Sequence, residues 1–243
     1  MGWYFPSKIV GIYTSSIKVS EFLIIFPTGI SLALLPMFSK NILDKEKLKT
    51  TLEFSLRLTY ILILPITFGG IIISENLINF IFGEEYLSSH YAFKILIPSL
   101  IATSIFMLLS QLLIALNKRK ELLLYEFFIF VINLIGNIIL IPSLSFIGAA
   151  YMTTLSNFLG MVLIILIVSK YLDFDVYFGI KKPLLASILM SLILLVLNKI
   201  NFLLAIIIGC IFYFIVLILI KEELITKVIK NIMTIANLKK YDN

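Results

Sequence analysis

Apolar runs long enough to cross a lipid bilayer leave a chain few ways to fold, and this sequence carries seven of them. They lie at roughly 12–36, 55–81, 91–116, 122–142, 148–169, 183–198 and 201–220. A hydrocarbon core about 30 Å thick takes about 20 residues of helix. Within it an unpaired backbone amide costs several kcal/mol, so each run must be a helix or a strand of a closed barrel. Barrel strands need alternating polarity, which is absent. The expected fold class is therefore all-α: a polytopic membrane protein with about seven transmembrane helices in one domain spanning 1–243. The sixth run is the shortest, and only Asn198, Lys199, Ile200 and Asn201 part it from the seventh, which allows nothing but a tight hairpin. Composition agrees, with 60% hydrophobic residues, 14% charged residues and a mean hydropathy of +1.09. A soluble domain could not hide that much apolar surface.

The lysines and arginines alternate with the runs. One set of connections holds Lys40, Lys45, Lys47 and Lys49, then Lys118, Arg119 and Lys120, then Lys170, Lys181 and Lys182, then Lys221, Lys227, Lys230, Lys239 and Lys240. The opposite set holds only Lys8 and Lys199. Cytoplasmic loops carry the excess of positive charge, so the N-terminus is expected outside and the tail, 221–243, in the cytoplasm. The tail also reads as an amphipathic helix, with Leu224, Ile225, Val228, Ile229 and Ile232 between lysines. Either a helix on the inner membrane surface or a solvated end fits that pattern. The first run lacks a small-residue cleavage site and is expected to stay in the mature protein. The net charge of +6 is dispersed instead of forming a basic stripe, which argues against nucleic acid.

Internal prolines at Pro27, Pro65 and Pro98 each remove a helical hydrogen bond and predict kinks in the first three helices, serving either motion or packing. Charge inside a span needs a reason, because it costs about 2.5–3.5 kcal/mol near the bilayer centre. Lys18 and Glu21, three apart on one face, are expected to neutralise each other in part. Two readings stay open for them: contact with an anionic head group, or a bridge between helices. Arg57, Glu75, Lys94 and Glu126 lie nearer helix ends and are expected to snorkel. Asn133 and Asn137, four apart beside Gly136, and Gln111 and Asn157 in neighbouring runs, would either join helices or touch substrate. Cys210 is the only cysteine and His90 the only histidine. No internal disulfide is available, and neither cofactor, metal site nor enzymatic activity is expected, since nucleophile elbow, phosphate loop and metal-ligand spacing are all absent.

Four ordered segments resemble one family. They are VGIYTSSIKVSEFLIIFPTGISLALLPMFSK from Val10 to Lys40, then LPITFGGIIISENLINFIFGEEYLSS, LLSQLLIALNKRKE and INLIGNIILIPSLSFIGAAYMTTLSNFLG. Together, over roughly 1–170, they resemble prokaryotic polysaccharide (O-antigen type) flippases of the multidrug/oligosaccharidyl-lipid/polysaccharide exporter superfamily. The resemblance implies one lobe of a two-lobe helical bundle around a central cavity, carrying lipid-linked oligosaccharide across the cytoplasmic membrane. It implies the lipid bilayer and that lipid-linked sugar as partners. The signature segment starts almost at Met1, so a separately encoded first lobe or a second copy is expected as well. A cavity-facing cation, here Lys18, is implied as a contact for the pyrophosphate. Alternatives are a truncated remnant or scaffolding subunit, and an ion-coupled drug exporter.

Overall fold

The computed structural model describes residues 6–227 and residue 230. Among them all regular structure is helical: α1 (Ser7–Asn41), α2 (Lys45–Phe82), α3 (Ser89–Leu96), α4 (Ser99–Ala115), α5 (Arg119–Ser169), α6 (Lys181–Leu197) and α7 (Phe202–Leu219), with a 3-10 turn at Glu84–Tyr86. Helix starts follow local chemistry. Asp44 caps α2 by accepting from the Lys47 amide at 3.1 Å, and Asn201 caps α7 by accepting from Leu203 and Leu204 at 3.0 and 3.1 Å. Each side-chain oxygen satisfies an amide that has no partner within its own helix.

Four helices, α1, α2, α5 and α7, are long and apolar enough to cross a membrane, and α3 with α4 makes a fifth span bent by 43°. The bend sits at Pro98, where a kink is expected, whereas Pro27 and Pro65 lie within helices that stay continuous. The 51 residues of α5 would measure roughly 75 Å if straight, far more than a bilayer. The helix instead breaks at Ser145, which takes φ 55° and ψ −137°, and doubles back. Asn133 meets Ser156 across the two arms at 2.8 Å, Gly136 faces Met152, and Gly160 faces the Tyr125 hydroxyl. At the tip a Cβ on Gly148 would come within 2.5 Å of the Leu140 carbonyl oxygen, so only glycine permits the close approach. The arms, 119–144 and 146–169, match the separate fourth and fifth runs of the sequence. With α6, which at 17 residues is the short one, the helical rods number seven among the described residues.

The central helix is α2. One face joins the main core, where Leu52, Leu56, Tyr60 and Leu64 pack with Phe38, Phe93, Leu108 and Leu112. Its other side carries the α6–α7 hairpin through Ile61, Met190, Leu194, Tyr213 and Leu217. Both hairpin helices pack on α2.

Among the described residues the lysine-rich connections gather at one end, and Lys199 alone lies in a connection at the other. Tyr60 donates to the Val176 carbonyl at 2.5 Å, the Asp175 amide to Glu53 at 3.2 Å, and Lys182 to the Lys221 carbonyl at 2.7 Å. At the opposite end Ser16 donates to the Ser89 carbonyl at 2.8 Å, and Asn76 to Asn198 at 2.9 Å. In the tail, Leu224 and Ile225 pack against the α6–α7 core; Val228, Ile229 and Ile232 lie outside the described residues.

Candidate functional site

Pro65 cannot donate to the carbonyl four residues back, Ile61, and α2 should carry an orphaned acceptor there. The structure fills that gap from another helix. Tyr213 on α7 donates its hydroxyl to the Ile61 carbonyl at 2.7 Å, with the tyrosine side chain buried. One hydrogen bond thus repairs α2 and fastens α7 to it. Tyr213→Phe is expected to cost about 1–3 kcal/mol, the penalty of a buried acceptor left unmade, read as a lower midpoint in thermal unfolding of the purified chain.

Beside this junction runs a groove of about 340 Å³ between α1, α2, α6 and α7. Leu23 and Phe26 form one wall, Gly69, Gly70 and Leu77 the floor, and Met190, Cys210 and Phe214 the other wall. Its lining is almost wholly apolar, and Gly69 brings the floor close to the far wall: a Cβ there would lie 3.3 Å from the Met190 methyl and 3.5 Å from Leu194. Sequence reading does not find this groove, because its walls come from helices far apart in the chain. Cys210, unassigned from sequence, is exposed on it.

The same ridge of α1 that reaches the groove carries the first candidate cation. Lys18, Phe22 and Phe26 are four apart, so they stack along one helix face, with Lys18 about 12 Å from Phe26 toward the lysine-poor end. Lys18, Glu21 and Phe22 are exposed. The expected mutual neutralisation of Lys18 and Glu21 does not form: among the described residues neither joins an ion pair, whereas Lys47–Asp44, Arg57–Glu222 and Arg57–Glu223 do form. The spacing puts glutamate C-terminal to lysine, the less favourable order on a helix, and no neighbouring helix brings a counter-charge to either. A bridge between helices within this chain is therefore not what these two residues make.

The asparagines face inward between helices. Asn137 donates to Asn133 at 2.8 Å, Asn133 to Ser156 at 2.8 Å, and Asn157 to Thr103 at 3.3 Å. These bonds tie the α5 arms to each other and to α4, and Asn137 keeps a buried Oδ1 without a partner. Gln111 on α4 is half-buried and not joined to that chain of amides. The five candidate residues thus fall into separate places: Lys18 and Glu21 on the exposed face of α1, Asn133 and Asn137 within the α5 hairpin, Gln111 on α4.

Arg57 departs from the expected snorkelling. It is 7% exposed and pairs through Nε with Glu222 and through Nη1 with Glu223. Lys221, at φ 51°, ends α7 in a left-handed turn that swings Glu222 inward to full burial, where it also accepts from the Ile225 amide at 3.0 Å. Glu53, Arg57 and Tyr60, on one face of α2, thereby clamp both the 170–180 connection and the end of α7. Hydrogen bonding to Arg57 holds the Glu223 carboxyl below its usual range. Its contribution is present above the ordinary carboxylate pKa and lost as pH falls through the lowered value.

The family model described as lipid II flippase MurJ matches residues 10–222. The chain is 27% identical over 167 residues to the probable low-salt glycan biosynthesis flippase Agl15 of Haloferax volcanii, and 27% identical over 169 residues to the probable flippase AglR of the same organism. Each match covers 67% of this chain and 35% of the relative, so the chain spans about a third of the length of these curated relatives. A solved structure of lipid II flippase MurJ in an inward closed conformation superimposes with a TM-score of 0.74 at 21% identity, over 88% of this chain and 48% of the other. That likeness shows the fold.

Proposed function

The chain belongs to the lipid II flippase MurJ family, and from that premise we propose that it forms one flank of a carrier, not an enzyme, that moves a lipid-linked oligosaccharide across the cytoplasmic membrane of a prokaryote. The observation that carries the reading is the α1 ridge. Lys18 and Glu21 are charged, exposed and, among the described residues, unpaired within a membrane-spanning helix, a placement that requires water or a polar partner at that face. The ridge leads from Lys18 into the apolar groove. A polyprenyl chain suits the groove, and its anionic phosphate group, about 12 Å along the ridge, suits Lys18. Glycan repeat units fit better than drugs, because one relative, Agl15, is named for glycan biosynthesis and the signature segment resembles the polysaccharide type.

The lysine-rich end is assigned to the cytoplasm by the positive-inside rule. Alternating access needs two lobes rocking about a midplane site. The second lobe would come from further residues of the same polypeptide, from a separately encoded chain or from a second copy. The 243-residue chain in proteoliposomes is expected to bind a fluorescent polyprenyl-diphosphate sugar without translocating it. Robust translocation by the chain alone would overturn the need for a second lobe, and absence of binding would favour a scaffolding role.

A further inference from the structure

A second cavity, of about 400 Å³, opens between the two arms of α5 at the lysine-rich end. The arms touch closely at Gly136, Gly148 and Gly160 and part below Tyr125, so the space is a wedge. Leu124 and Phe128 form one wall and Leu163 and Ile167 the other. Leu124 and Phe128 are exposed on the bundle's outside. The rim is polar: Lys170, Tyr171 and Glu121. Tyr171 donates to the Glu121 carboxylate, and Lys118 lies 4.5 Å from the centre of the Tyr171 ring. Among the described residues neither Lys118 nor Lys170 has a carboxylate within salt-bridge distance, and Arg119 and Lys120 adjoin the rim in sequence. α5 packs on α3 and α4 while α6 and α7 pack on α2, so the wedge and the groove lie on different flanks.

We propose that this wedge is a binding site for an anionic glycerophospholipid of the surrounding bilayer, with one acyl chain between the α5 arms and the phosphate on Lys118 and Lys170. An apolar slot beneath a rim where Lys118, Arg119, Lys120 and Lys170 outnumber the one carboxylate, Glu121, complements such a lipid at both ends. A neutral lipid gains only the slot. The site rests on the membrane reading and stands whether or not the chain carries sugar.

The test is native mass spectrometry of the full chain in detergent, with dioleoyl phosphatidylglycerol and dioleoyl phosphatidylcholine as probes. Phosphatidylglycerol is expected to be retained about tenfold more. The double variant Lys118→Gln/Lys170→Gln is expected to abolish that preference, and Leu163→Trp, which fills the slot, to reduce retention of both lipids. A control of equal charge change at the same end, Lys40→Gln/Lys45→Gln, is expected to leave the preference intact. Equal retention of the two lipids, a preference that survives loss of Lys118 and Lys170, or an equal loss in the control would each overturn the proposal.

Discussion

Arg57→Ala is expected to lower the stability of the folded chain by about 3–5 kcal/mol, the usual cost of breaking a buried ion pair by removing one partner. Glu222 has no exposed surface, so its carboxylate would be left in a place that water does not reach. Glu223 does not share this fate, because its side chain is 74% exposed and resolvates freely. Arg57→Lys should recover only part of the loss: an ammonium lacks the planar fork that serves two carboxylates at once. The clamp has a second dependence. Gly179, at φ +75°, lies so close to Arg57 that a Cβ would sit 2.5 Å from the arginine Cγ. Gly179→Val is therefore expected to reproduce much of the Arg57→Ala loss without touching a charge. Thermal unfolding of the purified variants in one detergent checks both. A change within about 0.5 kcal/mol, the range of ordinary surface substitutions, would mean the clamp holds nothing.

Lys18→Glu is expected to weaken binding of a polyprenyl-diphosphate sugar by ten- to a hundredfold while leaving unfolding unchanged. Hydrogen bonds to charged groups contribute roughly 1.5–3 kcal/mol each, and about 1.4 kcal/mol is a factor of ten. The two readouts separate a ligand contact from a structural role. Lys18 is exposed and pairs with no carboxylate among the described residues, so its loss should not destabilise the fold. A stability loss with unchanged binding would place Lys18 in packing and move the head-group contact elsewhere. Lys18→Arg is expected to keep most of the affinity, because a phosphate accepts either cation.

The alternation of charge along the sequence made the general plan legible. Lysines in every second connection imply that those connections share an end; the bonds joining residues 53–60, 175–182 and 221–223, with Lys118 over the Tyr171 ring, put the described ones there. The Asn133–Asn137 pairing was legible too, since four residues is one helical turn. Other features were not. Glu222 and Glu223 follow α7 like ordinary residues of a solvated tail, and nothing local marks them as partners of an arginine 165 positions away. Arg57 consequently looked like a snorkelling side chain. Lys18 and Glu21 misled in the opposite direction, because a shared face suggested a pair but does not ensure that the side chains meet. The Tyr213–Ile61 bond leaves a partial signal. A proline within an apolar run announces a freed carbonyl, and a tyrosine within another such run needs an acceptor, but only the fold matches the two. The groove is a property of assembly, for its walls come from α1, α2, α6 and α7.

Site-specific photocrosslinking from the groove in native membranes tests the assignment of this flank most directly. A benzophenone amino acid at Phe26, on the ridge below Lys18, is expected to capture a polyprenyl-linked sugar phosphate identified by its mass. The same probe at Phe127, on the outer face of α5, should capture only bulk phospholipid. Identical phospholipid adducts at both positions, with no polyprenyl species at Phe26, would contradict the account.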